Sequence, residues 1–172
     1  MESLEYKGKM YSRYTNKWVD KNNMVVHLSL QHELNTIYAN SLDLSGMSSQ
    51  ELVTEGDKYK EDESYLLAIR FYEQALEICD NKTFKYILPR ISSCYRKSNN
   101  PQKAIDLFAE TKRLFGVEML TPVLLTTAAA AYCDLNEIDN AKKCANRAYA
   151  LCNGNCSQEL ISVFARIKKE QK

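Results

Sequence analysis

The chain has 172 residues, of which 45% are hydrophobic and 26% are charged, a composition typical of a soluble globular protein. Its formal net charge of +1 creates no overall field that would attract nucleic acid or anionic lipid. No apolar run approaches the roughly 18 residues that indicate a membrane span. The opening residues, "MESLEYKGK", mix both signs of charge and contain no apolar stretch typical of a secretory signal, so we expect a cytoplasmic protein.

The N-terminal segment, residues 1–46, combines aromatic and β-branched residues with a polar turn. The four residues "DKNN", 20–23, favour a turn. They predict a β-hairpin within residues 11–28, with strands at about Tyr11–Val19 and Met24–Leu28. The rival interpretation is one long helix, but three asparagines disfavour it because asparagine is a weak helix former.

A helix is predicted over residues 29–43, directly after the hairpin. Ser29 is its expected N-cap. Its apolar face is predicted to consist of Leu30, Leu34, Ile37 and Tyr38.

The next hundred residues contain a sequence repeat. The first set of repeated positions is Leu52, Gly56, Tyr59, Ala68, Tyr72 and Ala75. The second set, 36 residues later, is Leu88, Ser92, Tyr95, Ala104, Phe108 and Thr111. The third set, a further 37 residues along, is Leu125, Ala129, Tyr132, Ala141, Ala145 and Ala148. The spacing inside each set is constant, which is typical of stacked supersecondary units.

Each repeated unit is predicted to be a pair of helices joined by a short polar connection. Ser48 and Glu51 form a capping box at the start of the first helix. Asn100 before Pro101 and Thr121 before Pro122 indicate two further helix starts, and "NEID" indicates another at about residue 136. Short connections make each pair antiparallel.

This pattern resembles the tetratricopeptide repeat, Trp-x2-Leu-Gly-x2-Tyr followed by Ala-x3-Phe. "LVTEGDKY" and "AIRFYEQAL" in the first unit match it well, and the resemblance covers about Ser48 to Asn153. It implies an all-α fold, a short α-solenoid of three repeats over residues 47–153. A C-terminal capping helix is predicted over residues 157–172, beginning after Ser157. Its expected apolar stripe is Leu160, Ile161, Phe164 and Ile167.

The resemblance also implies a concave groove, lined by the first helix of each pair, which binds a protein or peptide. The family's groove positions in the first unit are Val53, Asp57 and Lys60. Those in the other two units include Tyr86, Arg90, Ser93, Arg96, Lys97, Thr126 and Thr127. Arg90, Arg96 and Lys97 beside Tyr86 favour an acidic or acidic-apolar peptide. The carboxylate clamp of some family members is not reproduced, so chaperone C-terminal tails are not expected ligands.

No residue pattern indicates catalysis, a cofactor or a metal site. The chain lacks a glycine-rich phosphate loop, a His-Glu-x-x-His helix and a Gly-x-Ser-x-Gly turn. His27 and His32 are expected at the surface or near a helix cap. Cys152 and Cys156 have a spacing that zinc ligands use, but further ligands are missing nearby, so we expect a turn between helices.

The expected function is therefore a non-catalytic adaptor that binds a protein, with no membrane partner, and a homo-oligomer is left open. The alternative is a nucleic-acid-associated module. It would use the interleaved aromatic and basic residues Tyr11, Arg13, Tyr14, Lys17 and Trp18. The nearly neutral net charge argues against nucleic acid.

Overall fold

The structure is a computed structural model that describes residues 5–6, 8–12 and 17–170. These residues form eight α-helices and a small antiparallel sheet, which confirms the prediction of a mostly helical fold. None of the helices in these ranges is both long enough and apolar enough to cross a membrane. The chain divides into two compact units, Met1–Ile78 and Cys79–Lys172. This boundary falls between the first and second sequence repeats.

The first unit begins with a three-stranded sheet of β1 (Glu5–Tyr6), β2 (Lys9–Ser12) and β3 (Lys17–Val19). Tyr11 on β2 lies opposite Trp18 on β3. Residues 11–19 therefore do not form the single strand that we predicted. The antiparallel pairing places Tyr11 and Trp18 side by side, so that both rings enter the core.

The predicted turn at residues 20–23 is confirmed. The Asp20 carboxylate accepts hydrogen bonds from the backbone N–H groups of Asn22 and Met24, at 2.8 and 3.0 Å. These two bonds hold the pKa of Asp20 below its usual value. After the turn, only Val25 pairs with the sheet, through a single bridge to Val19, so the predicted strand Met24–Leu28 is reduced to one residue.

Helix α1 (Leu28–Ser41) is attached to the sheet by polar side chains. Gln31 bonds to both backbone groups of Trp18, accepting from its N–H at 2.9 Å and donating to its carbonyl at 2.7 Å. The Trp18 indole donates to Asn35 at 3.0 Å. The N-cap is His27, two residues before the predicted Ser29, and its ring accepts a hydrogen bond from the Ser29 N–H.

Helices α2 (Ser49–Glu61) and α3 (Tyr65–Ile78) form a helical hairpin, and α1 packs on α3. The predicted capping box of Ser48 and Glu51 is present at the start of α2. Gly56 on α2 faces the ring of Tyr72 on α3 so closely that a Cβ atom would lie 2.8 Å from Tyr72 Cε1. Glycine is therefore required for the two helices to approach.

The second unit contains five helices in chain order. They are α4 (Asn81–Lys97), α5 (Pro101–Phe115), α6 (Pro122–Asp134), α7 (Ile138–Leu151) and α8 (Gln158–Glu170). Helix α6 packs against all four others, and every residue from Leu124 to Ala131 is buried. The predicted caps Asn100 and Thr121 are confirmed, whereas α7 begins after Glu137 without a side-chain cap.

Helix α8 is capped by Ser157, whose hydroxyl accepts from the Leu160 N–H at 3.2 Å. Its buried residues are Leu160, Val163 and Ile167. Ile161, which we predicted on the apolar stripe, is 51% exposed. The helix is therefore rotated relative to the prediction, because the i, i+3, i+7 spacing through Val163 gives the stripe that contacts α6 and α7.

Most of the repeat positions are buried in both units. Every repeat position but two is buried, and the exceptions, Tyr59 and Tyr132, are half-buried. The 36- and 37-residue offsets thus coincide with a repeated pattern of burial inside helical pairs.

We predict that Gly56→Ala destabilises the first unit. The added Cβ forces the buried Tyr72 ring to move, and such overpacking costs about 1–3 kcal/mol, against about 1 kcal/mol gained in helix propensity. Urea unfolding followed by Trp18 emission measures the effect, since Trp18 is the chain's single tryptophan. Gly46→Ala is the control, because nothing lies within 4 Å of its Cβ position. Equal midpoints for the two variants would contradict the packing argument.

We also predict that Tyr11 makes the first unit sensitive to alkali. Burial, with a smaller contribution from Tyr59, raises the pKa of the Tyr11 phenol well above its usual range. The unfolded chain then loses this proton first, at about pH 10, so the stability is present below that pH and is lost as pH rises further. Tyr11→Phe should therefore gain in urea midpoint over the unmodified chain between pH 8 and pH 11. A difference independent of pH would contradict this.

Candidate partner-binding face

Four of the predicted groove residues lie on one stripe of α4. Tyr86, Arg90, Ser93 and Lys97 are spaced i, i+4, i+7 and i+11, which aligns them along the helix. Tyr86 is 43% exposed, and the Arg90 guanidinium lies over its ring, 3.3 Å from the centroid. Arg90 also donates to the Tyr86 carbonyl at 3.0 Å. This stacking orients both side chains before any partner arrives.

Arg96, in contrast, is committed to ion pairs within the unit. Its guanidinium donates to Asp134 at the end of α6, at 2.9 Å, and to Glu159 in the first turn of α8, at 2.8 Å. Arg166 of α8 donates to the other Asp134 oxygen at 2.8 Å. The Arg96 side chain is only 13% exposed. Its predicted role as a contact for an acidic peptide is thus filled by two of the chain's own carboxylates.

The four residues Arg96, Asp134, Glu159 and Arg166, hereafter the ion-pair network, connect α4, α6 and α8. Beside the network a cleft of about 530 Å³ opens. It is lined by Arg96, Lys97, Asn99, Pro101, Cys133, Asp134 and Arg166. Lys97 is an exposed cation in this lining and forms no ion pair with any described carboxylate. The cleft therefore keeps one available positive charge at the end of the α4 stripe.

The groove positions predicted on α6 are not accessible. Thr126 and Thr127 are 3% and 1% exposed, and their hydroxyls donate to the carbonyls of Pro122 and Val123 in their own helix. The structure gives them a packing role, since these internal bonds let threonine be buried without an unpaired hydroxyl. Val123, one turn earlier, is 58% exposed and is the accessible part of this stripe.

In the first unit, the corresponding helix α2 offers a different surface. Val53 is 4% exposed, and the Asp57 carboxylate accepts a hydrogen bond from the Tyr72 hydroxyl. Both side chains therefore contribute to the α2–α3 pair.

Two aromatic residues of the nucleic-acid hypothesis, Tyr11 and Trp18, are buried. Trp18 is 0% and Tyr11 is 5% exposed, and the two rings pack edge-to-face with centroids 5.4 Å apart. Neither ring can stack on a base in this structure, so these two residues do not carry the nucleic-acid alternative. Arg13 and Tyr14 lie outside the described residues, and Lys17 is exposed.

The histidines and cysteines form no cluster of three or more metal ligands in the part of the chain that the structure describes. His27 caps α1, as its expected position near a cap suggested, and His32 is exposed. The Cys152 and Cys156 sulfurs lie 2.9 Å apart in the turn after α7. The pKa of the Cys156 thiol is raised, and the main cause is its hydrogen bond with Cys152; burial contributes less.

Three members of the ion-pair network, Asp134, Glu159 and Arg166, were not singled out in the sequence. The repeat offset of 37 residues relates Asp134 to Lys97, whereas the structure pairs Asp134 with Arg96, which is 38 residues away. The repeat therefore gave no direct signal for the basic partner.

We found no protein-family model and no curated protein that matches the sequence.

We predict that Asp134→Asn destabilises the second unit by about 1–3 kcal/mol, because two arginines lose a charged acceptor and Arg96 is mostly buried. Circular dichroism during urea unfolding measures the loss, which should shrink in about 1 M salt. Glu110→Gln is the control: its pair with Arg113, at 3.7 Å, is exposed and should contribute less than about 1 kcal/mol. Equal midpoints for the two variants would contradict a stabilising network.

Proposed function

We propose that the chain is a non-catalytic interaction scaffold of the tetratricopeptide type, which binds a segment of a partner protein on the second unit. One observation carries the proposal. Positions 36 and 37 residues apart are buried in the same way inside successive helical pairs, as the family's packing signature requires. Folds built this way present the first helices of the pairs to a partner.

The proposed contact surface, the partner face, consists of Tyr86, Arg90, Ser93, Lys97 and Val123. Exposed tyrosine and arginine are the residue types that most often dominate the energy of protein interfaces. Here Arg90 already stacks on Tyr86, so little conformational entropy remains to be lost when a partner binds. Val123 adds an exposed apolar contact on α6.

The charge proposed for the partner follows from the one basic residue of the cleft that the ion-pair network does not neutralise. Asp134 and Glu159 neutralise Arg96 and Arg166, whereas Lys97 keeps an available charge in the cleft. We therefore propose a segment with one or two acidic residues beside an aromatic or aliphatic one. Its acidic residue would pair with Lys97 and its apolar residue would contact Tyr86 and Val123.

The proposal is tested by selecting displayed random peptides of about a dozen residues on the immobilised intact chain. We expect enrichment of sequences that place Asp or Glu near an aromatic or aliphatic residue. Fluorescence anisotropy then gives the Kd of the selected peptides for the chain and for the double variant Tyr86→Ala/Lys97→Glu. A loss of at least tenfold, about 1.4 kcal/mol, is expected.

The matched control is Tyr149→Ala/Lys142→Glu, which makes the same two chemical changes at exposed positions of α7. It should leave the Kd within about twofold. Peptides that bind both double variants equally, or a selection without enrichment, would refute the partner face.

A further inference from the structure

A second cavity lies on the side of α6 that faces away from the partner face. It has a volume of about 390 Å³ and is enclosed by α5, α6, α7 and the chain near Leu120. Leu125 and Tyr132 of α6 are in its wall. At about 100° of rotation per residue, these two positions are roughly half a turn from Val123. The cavity is therefore separate from the surface proposed for the partner.

The inner wall of this cavity is largely apolar. It consists of Phe108, Leu120, Leu125, Tyr132 and Cys144. A volume of a few hundred Å³, apolar walls and a few converging polar groups are typical of sites for small molecules. The wall thus suits an aromatic or compact aliphatic body.

The rim of the cavity is positively charged. Lys112 of α5 and Lys143 and Arg147 of α7 line it, and none of the three forms an ion pair with a carboxylate of the described residues. Both lysines lie near enough to the Cys144 thiol to oppose the rise in its pKa that burial causes. Ammonium groups from two different helices therefore line the same cavity.

Glu137 is a carboxylate near this cavity, and it is already bonded. It accepts a hydrogen bond from the Asn140 side chain at 2.8 Å. It contributes, after burial and Cys144, to the raised pKa of Tyr132. The lining itself contains three cations and no carboxylate, so the charge that borders the apolar space is positive.

We propose that this cavity binds a small organic anion, whose apolar body contacts Phe108, Leu125 and Tyr132. Its phosphate, sulfonate or carboxylate group lies among Lys112, Lys143 and Arg147. Arginine and lysine side chains on two helices give such a group several charge-assisted hydrogen bonds. The apolar body and the anionic group both contribute to binding, because the first contacts the apolar wall and the second contacts the cations.

The first test compares three probes by calorimetry on the intact chain: 1-naphthyl phosphate, 1-naphthol and inorganic phosphate. We expect 1-naphthyl phosphate to bind at least tenfold more tightly than either of the others. Equal binding of 1-naphthol would mean that the cations contribute nothing, and equal binding of phosphate would mean that the wall contributes nothing. Either result, or no measurable binding of 1-naphthyl phosphate, overturns the proposal.

The second test locates the probe. Lys143→Ala/Arg147→Ala should weaken 1-naphthyl phosphate at least tenfold, whereas Lys142→Ala/Lys168→Ala, which removes two exposed cations outside the cavity, should leave it unchanged. The bound probe should also slow maleimide alkylation of Cys144 at least threefold in peptide maps, with Cys152 in the same chain as the reference. Unchanged affinity in the first variant, or unprotected Cys144, places the probe elsewhere and refutes the site.

These results do not depend on the partner face. Peptide binding that survives Lys143→Ala/Arg147→Ala, and probe binding that survives Tyr86→Ala/Lys97→Glu, would show two independent sites. The failure of one proposal is therefore distinguishable from the failure of the other.

Discussion

The close approach of two helices at one small residue is the constraint on which both units depend. In the first pair, Gly56 leaves the space that the Tyr72 ring occupies. The equivalent positions are Ser92 with Phe108 in the second pair and Ala129 with Ala145 in the third, always 16 residues apart. The first residue is small in all three pairs, whereas the second is aromatic in the first two pairs and alanine in the third. The small first residue is therefore the shared feature, and the second residue varies with the packing around each pair.

The alanine at the second position has a consequence for the third pair. Its second helix, α7, presents only alanines to the core at Ala141, Ala145 and Ala148, all of them fully buried. Helix α7 therefore contributes small side chains to its contact with α6. Large apolar side chains near this pair, such as Phe108 and Tyr132, instead line the cavity with the positive rim. The alanines that tighten one contact thus leave space beside it.

Local chemistry explains most of what could be predicted from the sequence. Ser48, Asn100 and Thr121 cap their helices because a side-chain acceptor within three residues of a free N–H needs no tertiary information. The buried positions were predictable from the repeat offsets, since positions related by an offset are buried in each helical pair. The turn at residues 20–23 was predictable for the same reason, as Asp20 bonds to its own neighbours.

Three features were not predictable because they depend on tertiary contacts. The short strands depend on the pairing of Tyr11 with Trp18, and both rings then pack against Tyr38 of α1. The rotation of α8 depends on its contacts with α6 and α7 rather than on its own apolar count. The sequence predicted that Arg96 is a cation of the groove. In the structure its guanidinium forms ion pairs with carboxylates that are 38 and 63 residues away in the chain.

Helix α6 shows how one segment can serve two surfaces of opposite character. Its small and internally bonded residues let α4 and α8 come close enough for Arg96 to reach Glu159 beyond Asp134, and charge on that side is largely neutralised. On the opposite side, Leu125 and Tyr132 face cations from α5 and α7 that no described carboxylate neutralises. Lys112, Lys143 and Arg147 are exposed on this side, so water screens their mutual repulsion while it also contacts the apolar wall beside them. A bound anion with an apolar body would cover that wall and add charge-assisted hydrogen bonds to the cations, whereas the proposed partner face combines stacking and apolar contact with the charge of Lys97.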